Sequence, residues 1–151
     1  MFGVTLSSLP RKAKWLATLA LTSFALNHLF AVALVWQVTT QVDAGAKEHF
    51  SYKSLPVLLR MAHQHAFGHG VMYFATGGIF LFADAPDWLA MLLFTMAFVG
   101  SWFDIAAWFL LKYRSARWEL LSQASGTAYA FAFAVMMIVS LFQMWRPRRI
   151  S

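Results

Sequence analysis

The sequence predicts an all-α protein, an integral membrane four-helix up-down bundle that forms a single transmembrane domain over residues 1–151. Of these residues, 60% are hydrophobic and 12% are charged, whereas a soluble domain averages about half apolar and about a quarter charged residues. The apolar residues fall in four long blocks, and about 20 such residues are needed to cross a bilayer. Short polar connections between the later blocks favour antiparallel neighbours. Lipid is therefore the predicted solvent.

The four predicted spans follow the apolar blocks and are interrupted by polar or helix-breaking residues. They cover residues 15–38, 55–82, 88–111 and 118–145. Residues 39–53 are predicted as a polar loop, and residues 113–117 as a short polar connection. Pro86 ends the second span, and Asp87 is predicted to cap the third. Tryptophan residues lie near the span ends, as in the aromatic belts of membrane proteins: Trp15, Trp36, Trp88, Trp118 and Trp145.

The charge distribution indicates headgroup anchors. The formal net charge is +6, and the basic residues cluster at span ends rather than in a stripe, which excludes a nucleic-acid-binding surface. Basic residues before the first span and after the fourth predict cytoplasmic N- and C-termini in a bacterial inner (cytoplasmic) membrane. The chain has no cysteine, so thiolate metal sites, Fe–S clusters and covalently attached haem are excluded.

Polar residues from all four spans lie at a similar predicted depth, and those of span four, Ser125 and Thr127, are about 10 to 14 Å deep. Measured from the side of residues 39–53, His28, His63, His65 and Asp104 are all about 12 to 15 Å deep at a helix rise of about 1.5 Å per residue. Hydrocarbon penalises each polar group that lacks a partner. We therefore expect these groups to meet inside the bundle and to form a site.

Helix geometry limits which histidines share a ligand. His63 and His65 are two residues apart and so point in opposite directions, about 200° apart. His65 and His69 are four residues apart and lie on one helix face. Glycines in the same span, Gly68, Gly70, Gly77 and Gly78, leave room for a second helix or a flat cofactor.

Several residues carry a resemblance to a bacterial family of small four-span membrane proteins over roughly residues 60–145. They are His63-Gln-His65, Gly70, Gly77-Gly78-Ile-Phe80, Asp104 with Trp108, Gly126 and Gln143-Met-Trp145. The resemblance implies a companion of respiratory or multihaem cytochrome systems. The His-x-His start of the second span is also similar to that of membrane haem proteins related to haem–copper oxidases.

The leading functional prediction is a membrane subunit of a respiratory electron-transfer system. Imidazole is the usual axial ligand of a b-type haem, and His28 on span one can face His63 or His65 on span two. Asp104 and Arg60 would then hold a ligating histidine, a haem propionate or a quinol headgroup. The predicted partners are the bilayer, other membrane or cytochrome subunits, and quinone.

Two alternatives remain open on the sequence. His28, His65 and His69, with Asp104, suit copper, zinc or iron by ligand type, which would make the protein a non-haem metal-binding membrane protein. A cofactor-free accessory subunit of a larger membrane complex would use the same polar residues only to fix helix packing. No catalytic residues are predicted, because no nucleophile elbow or Ser-His-Asp arrangement is present.

Overall fold

The protein is all-helical throughout the part that the computed structural model describes, residues 4–37, 40 and 45–146. Two short 3₁₀ turns precede the first and last long helices, at Leu6–Ser8 and Ala116–Trp118. The α-helices are α1 (Arg11–Gln37), α2 (Ala46–Ser51), α3 (Leu55–Phe80), α4 (Asp87–Tyr113) and α5 (Glu119–Trp145). The predicted all-α class is thus confirmed.

Within the described residues, three helices are long and apolar enough to cross a membrane: α1, α4, and α5 together with the turn before it. The fourth long helix, α3, has 26 residues but is less apolar, because Arg60 and three histidines lie within it. All four begin and end within a few residues of the predicted spans. Val38, the predicted end of span one, and the basic residues Arg148 and Arg149 lie outside the described residues.

The prediction that Asp87 caps α4 is wrong. Pro86 occupies the N-cap position, with extended backbone and no side-chain capping bond, and Asp87 is the first residue of the helix. Proline fixes the backbone angle that starts a helix without needing an N–H donor. The carboxylate of Asp87 instead lies in the first turn, where a negative charge interacts favourably with the helix dipole.

One end of the structure, here called the terminal end, joins the start of the chain to the α3–α4 turn and the end of α5. The backbone N–H of Leu6 donates to the carbonyl of Phe82 at 2.9 Å. The Gln143 side chain accepts from the N–H of Asp84 at 2.6 Å and donates to its carbonyl at 3.0 Å. These bonds provide partners for backbone N–H and C=O groups of the turn that have no partner within a helix.

The opposite end, here called the loop end, is closed by α2. The backbone N–H of Lys47 donates to the Glu119 carboxylate at 2.8 Å, and its ammonium donates to the carbonyls of Leu111 and Lys112. Lys112 in turn donates to the carbonyl of Ser51 at 3.0 Å. The predicted loop therefore contains a short helix that is fixed over the C-terminus of α4, where cations are favoured.

The main core lies between α3, α4 and α5 toward the terminal end. Its buried residues are Met72, Tyr73, Phe80, Leu93, Ala97, Ala132, Phe133 and Met136. The most extensive helix–helix contact joins α4 and α5. Gly100 permits this approach, since a Cβ atom there would lie 3.2 Å from the carbonyl oxygen of Ser125.

The loop-end halves of α1 and α3 stand apart from this core. Every residue from 29 to 37 in α1 and from 63 to 68 in α3 is exposed. Because a helical turn takes about 3.6 residues, both stretches are exposed on all faces. In contrast, the terminal half of α3 contributes five buried residues from Met72 to Phe80. The predicted histidine-rich region thus lies between this core and a smaller buried cluster at the loop end, which contains Leu58 of α3.

Candidate functional site

A continuous series of aromatic side chains connects all five helices near the loop-end side of the core. Consecutive ring centroids are 4.8 to 6.0 Å apart. Three of the predicted site residues belong to it. In order, the series consists of Phe133, His28, Tyr129, His69, His65, Trp108 and Phe50.

His65 has one ring nitrogen engaged and one free. Its Nδ1 lies 3.0 Å from the carbonyl oxygen of Met61, one turn earlier in α3. A carbonyl oxygen only accepts, so the neutral imidazole carries its proton on Nδ1 and has a lone pair on Nε2. The ring meets Trp108 edge-on, with centroids 4.8 Å apart, and the residue is exposed. His65 therefore offers a preset, accessible nitrogen ligand.

His69 lies deeper in the same helix and is half-buried. Its Nδ1 is 2.9 Å from the hydroxyl of Ser101 in α4. Since a hydroxyl both donates and accepts, this contact does not select one tautomer. His69 is close enough to His65 and His28 to interact with them electrostatically. Its ring centroid lies 5.0 Å from that of Tyr129. It links the two other histidines of the series.

His28 is the contribution of α1. Its half-buried ring stacks on Phe133 with centroids 5.0 Å apart and an interplanar angle of 27°. Its edge meets Tyr129 at 6.0 Å. The structure thus brings His28 to the same group of rings as His65 and His69, from a different helix.

Asp104 is buried in α4 and accepts a hydrogen bond from the Ser122 hydroxyl at 2.6 Å. It lies within electrostatic range of His65. The hydrogen-bond partner of the His65 Nδ1, however, is the Met61 carbonyl and not this carboxyl group. Asp104 therefore lies near His65, and its carboxyl group is positioned by a hydrogen bond from α5.

His63 and Arg60 lie outside the aromatic series. Both are exposed residues of α3. Within the residues that the structure describes, no three histidine, aspartate or glutamate side chains are placed as ligands of one metal ion. The predicted metal ligands His28, His65 and His69 are thus neighbours in a row of rings rather than a closed cluster.

Three hydroxyl-bearing residues of this site were not predicted from the sequence: Ser101, Ser122 and Tyr129. One signal was available for Ser101, since it lies three residues before Asp104 and therefore on the same face of α4. Nothing local marks Ser122 or Tyr129, because their roles depend on how α5 is rotated against α3 and α4. Hydroxyl groups in membrane helices are common packing residues, and their partners become visible only in three dimensions.

The two ring nitrogens of His65 are engaged in the way expected of an axial haem ligand. Such a ligand is a neutral imidazole whose second N–H is held by a carbonyl or carboxylate, and the Met61 carbonyl fills that role. Apolar rings from three helices, Phe50, Trp108 and Phe133, lie in the same series. His65 could thus hold the iron of a haem, and these rings could shield the macrocycle from water.

Comparison with known proteins identifies a family for this chain. No curated protein and no solved structure matches the chain. A family model described as a transmembrane helical domain, Aq_1264_TM, matches residues 43–151. The match contains α2 to α5 and every predicted site residue except His28. The chain therefore belongs to the Aq_1264_TM family of transmembrane helical domains.

Proposed function

We propose that this protein is a membrane subunit of a respiratory electron-transfer system that binds a b-type haem and exchanges electrons with quinol. The observation that carries the proposal is the hydrogen bond from Nδ1 of His65 to the Met61 carbonyl at 3.0 Å. It leaves Nε2 unprotonated and exposed, which is the state that binds iron. A bound haem would supply reversible one-electron chemistry.

The proposal includes all four long helices as membrane spans of an up-down bundle in a bacterial inner membrane. The 26 residues of α3 extend about 39 Å at 1.5 Å per residue, which exceeds a hydrocarbon thickness of about 30 Å. The contacts at the terminal end and the loop end support alternating helix directions. Basic residues before the first span and after the last support cytoplasmic termini.

The residues of the chain have separate roles in this proposal. His65 would hold the iron of a bound haem through its free ring nitrogen, and His28 on α1 would contribute a second imidazole that holds the group. His69 and Asp104 are held by Ser101 and Ser122 and keep polar groups beside the ligands. A buried polar network of this kind fixes ligand orientation when each member has a partner.

Arg60 lies five residues before His65 in α3, which places it nearer the loop end. It is exposed, and a guanidinium matches carboxylates in a bidentate manner. In the proposal it binds a haem propionate or a quinol headgroup at this side of the membrane.

A small metal ion is less well supported than haem. Protein sites for copper, zinc or non-haem iron use several side-chain ligands, and the described residues offer no group of three. A haem iron needs only one or two protein ligands because the macrocycle supplies the rest. A row of histidines and apolar rings suits that requirement.

The test is an absorption spectrum with metal analysis on the purified full chain, produced in a bacterial host supplied with a haem precursor. We expect a Soret band that shifts on reduction with dithionite, and iron as the bound metal. Addition of a short-chain quinol should reduce the haem without dithionite. A haem that dithionite reduces and quinol does not would refute the quinol part of the proposal alone.

Three variants test the ligand assignment. His65→Ala should lose most of the haem, because it removes the preset nitrogen. His28→Ala should retain less haem and change the spin state of what remains. His63→Ala is the matched control, since His63 is exposed in the same helix and lies outside the aromatic series, and it should keep its haem.

Other outcomes overturn the proposal. A colourless, metal-free wild-type protein refutes cofactor binding and leaves the accessory-subunit alternative. Stoichiometric copper or zinc without haem favours the non-haem alternative. Haem loss in His63→Ala but not in His65→Ala means that the wrong histidine has been assigned.

A further inference from the structure

A second candidate site lies at the terminal end, away from the histidines. A cavity of about 340 Å³ opens there between the start of α1 and the end of α5. Three of its six lining residues are cationic, and no acidic residue is among the described residues that line it. The lining consists of Ser7, Leu9, Arg11, Lys14, Trp145 and Arg146.

Lys14 is held in place yet keeps donors available. Its ammonium donates to the carbonyl of Ser7 at 2.9 Å and lies 5.9 Å from the ring centroid of Trp145. An ammonium group has three N–H donors, so two remain for a ligand. Arg11 and Arg146 are exposed beside it. The cavity thus has the charges that an anion-binding site needs. The Lys14 ammonium is fixed in position, and the exposed side chains of Arg11 and Arg146 can adjust to a ligand.

Two tryptophan residues fix the depth of the cavity in the membrane. The indole N–H of Trp145 donates to the hydroxyl of Thr18 at 3.0 Å, and Trp15 packs edge-on against the Trp145 ring at 5.6 Å. Tryptophan residues at helix ends lie at the headgroup level of a bilayer. A ligand in this cavity therefore lies where lipid phosphates lie.

Apolar surface continues from the cavity along the two helices toward the middle of the membrane. Leu19 of α1 and Phe142 of α5 are exposed there. Such a surface suits acyl chains, whereas a soluble anion would make no use of it. The occupant that fits both regions is amphipathic.

We propose that this cavity binds the phosphate of an anionic phospholipid, with its acyl chains along α1 and α5. Basic pockets between membrane helices recognise acidic lipid headgroups through the same chemistry. Arg11, Lys14 and Arg146 provide the positive charge, and Trp145 forms the wall that separates the headgroup from the hydrocarbon. The site does not depend on the haem proposal.

The test measures lipid binding by the delipidated full chain in a neutral detergent. Phosphatidylglycerol, phosphatidylcholine and inorganic phosphate are titrated separately, with quenching of tryptophan fluorescence by brominated acyl chains as the readout for the lipids. Native mass spectrometry counts the lipids that stay bound. We expect saturable binding of phosphatidylglycerol, weaker binding of phosphatidylcholine, and no competition by millimolar inorganic phosphate.

Two substitutions probe the cations of the cavity. Arg11→Gln and Lys14→Gln should each weaken phosphatidylglycerol binding roughly fivefold, the loss expected for one basic residue near an anionic lipid. Arg117→Gln is the matched control, because Arg117 lies 5.6 Å from the ring of Trp118 at the opposite end. It should leave the affinity unchanged.

Each remaining outcome decides against the proposal. Equal affinity for phosphatidylglycerol and phosphatidylcholine would show that the cations do not select the headgroup. An equal loss of phosphatidylglycerol affinity in Arg117→Gln would show that binding depends on the net charge of the protein and not on this cavity. Competition by inorganic phosphate at the same concentration would identify a free-anion site. If Lys14→Gln unfolds because it also holds Ser7, Arg11→Gln and the charge-conserving Lys14→Arg still decide the question.

Discussion

Substitution of Gly100 tests the close contact of α4 and α5, on which the candidate site depends. A Cβ atom at this position would lie 3.2 Å from the carbonyl oxygen of Ser125 and 3.4 Å from Cβ of Tyr129. Both atoms belong to α5, and the first is backbone, so no side-chain rotation relieves the contact. Because protein interiors are closely packed, Gly100→Ala therefore requires α5 to shift by a few tenths of an ångström.

The magnitude follows from two opposing contributions. Replacing a helical glycine with alanine stabilises by roughly 0.5–1 kcal/mol where the added methyl group has room. Forcing an extra methyl group into a packed contact costs roughly 1–3 kcal/mol. We expect Gly100→Ala to destabilise by about 1 kcal/mol on balance. Gly78→Ala is the matched control, because no atom lies within 4 Å of the added Cβ, and it should be neutral or stabilising.

The assay is reversible unfolding in mixed micelles with increasing dodecyl sulfate, followed by far-ultraviolet circular dichroism. From most to least stable, we expect Gly78→Ala, wild type, Gly100→Ala and Gly100→Val. The larger side chain of valine adds to the overlap that alanine creates at position 100. Equal stabilities for Gly100→Ala and Gly78→Ala would refute the reasoning, since they would show that α4 and α5 are not in the contact described.

Two further predictions concern hydrogen bonds. Ser122→Ala removes the donor to the buried Asp104 and should cost about 1–3 kcal/mol in the same unfolding assay; an unchanged midpoint would contradict the 2.6 Å bond. Gln143→Leu removes both bonds to the backbone of Asp84 and should cost about 1 kcal/mol and accelerate hydrogen exchange of the Asp84 amide. Exchange at the wild-type rate would show that this amide has another partner.

Much of the helical framework could be predicted from the sequence because its determinants are local. Pro86 and the polar residues around it set the boundary between α3 and α4, and unbroken apolar runs set the length of α4 and α5. The helix α2 was not predicted, because tertiary contacts stabilise it. Lys47 reaches the end of α4 and Glu119 holds its backbone, and neither contact leaves a periodic pattern in residues 39–53.

The site was predictable in its depth but not in its partners. The helix rise alone placed His28 and His65 at one level. The bond of His65 to the Met61 carbonyl was not predictable from residue types, since every residue has a carbonyl group and the side-chain rotamer decides which one is used. The rotation of α5, which brings Tyr129 between His28 and His69, depends on the close approach at Gly100.

The limited hydropathy of α3 also has a consequence for how the chain is built into a membrane. Of the four long helices, it is the one that is not among the three long and apolar enough to cross a membrane by length and composition, and its residues 63–68 are exposed. The α3–α4 turn spans only residues 81–86, and α4 is strongly apolar. If α3 crosses the membrane, as the proposed function requires, its insertion as one half of a hairpin with α4 would spread the cost of its polar residues over two helices. The bonds from Gln143 to this turn can form only after α5 has been synthesised.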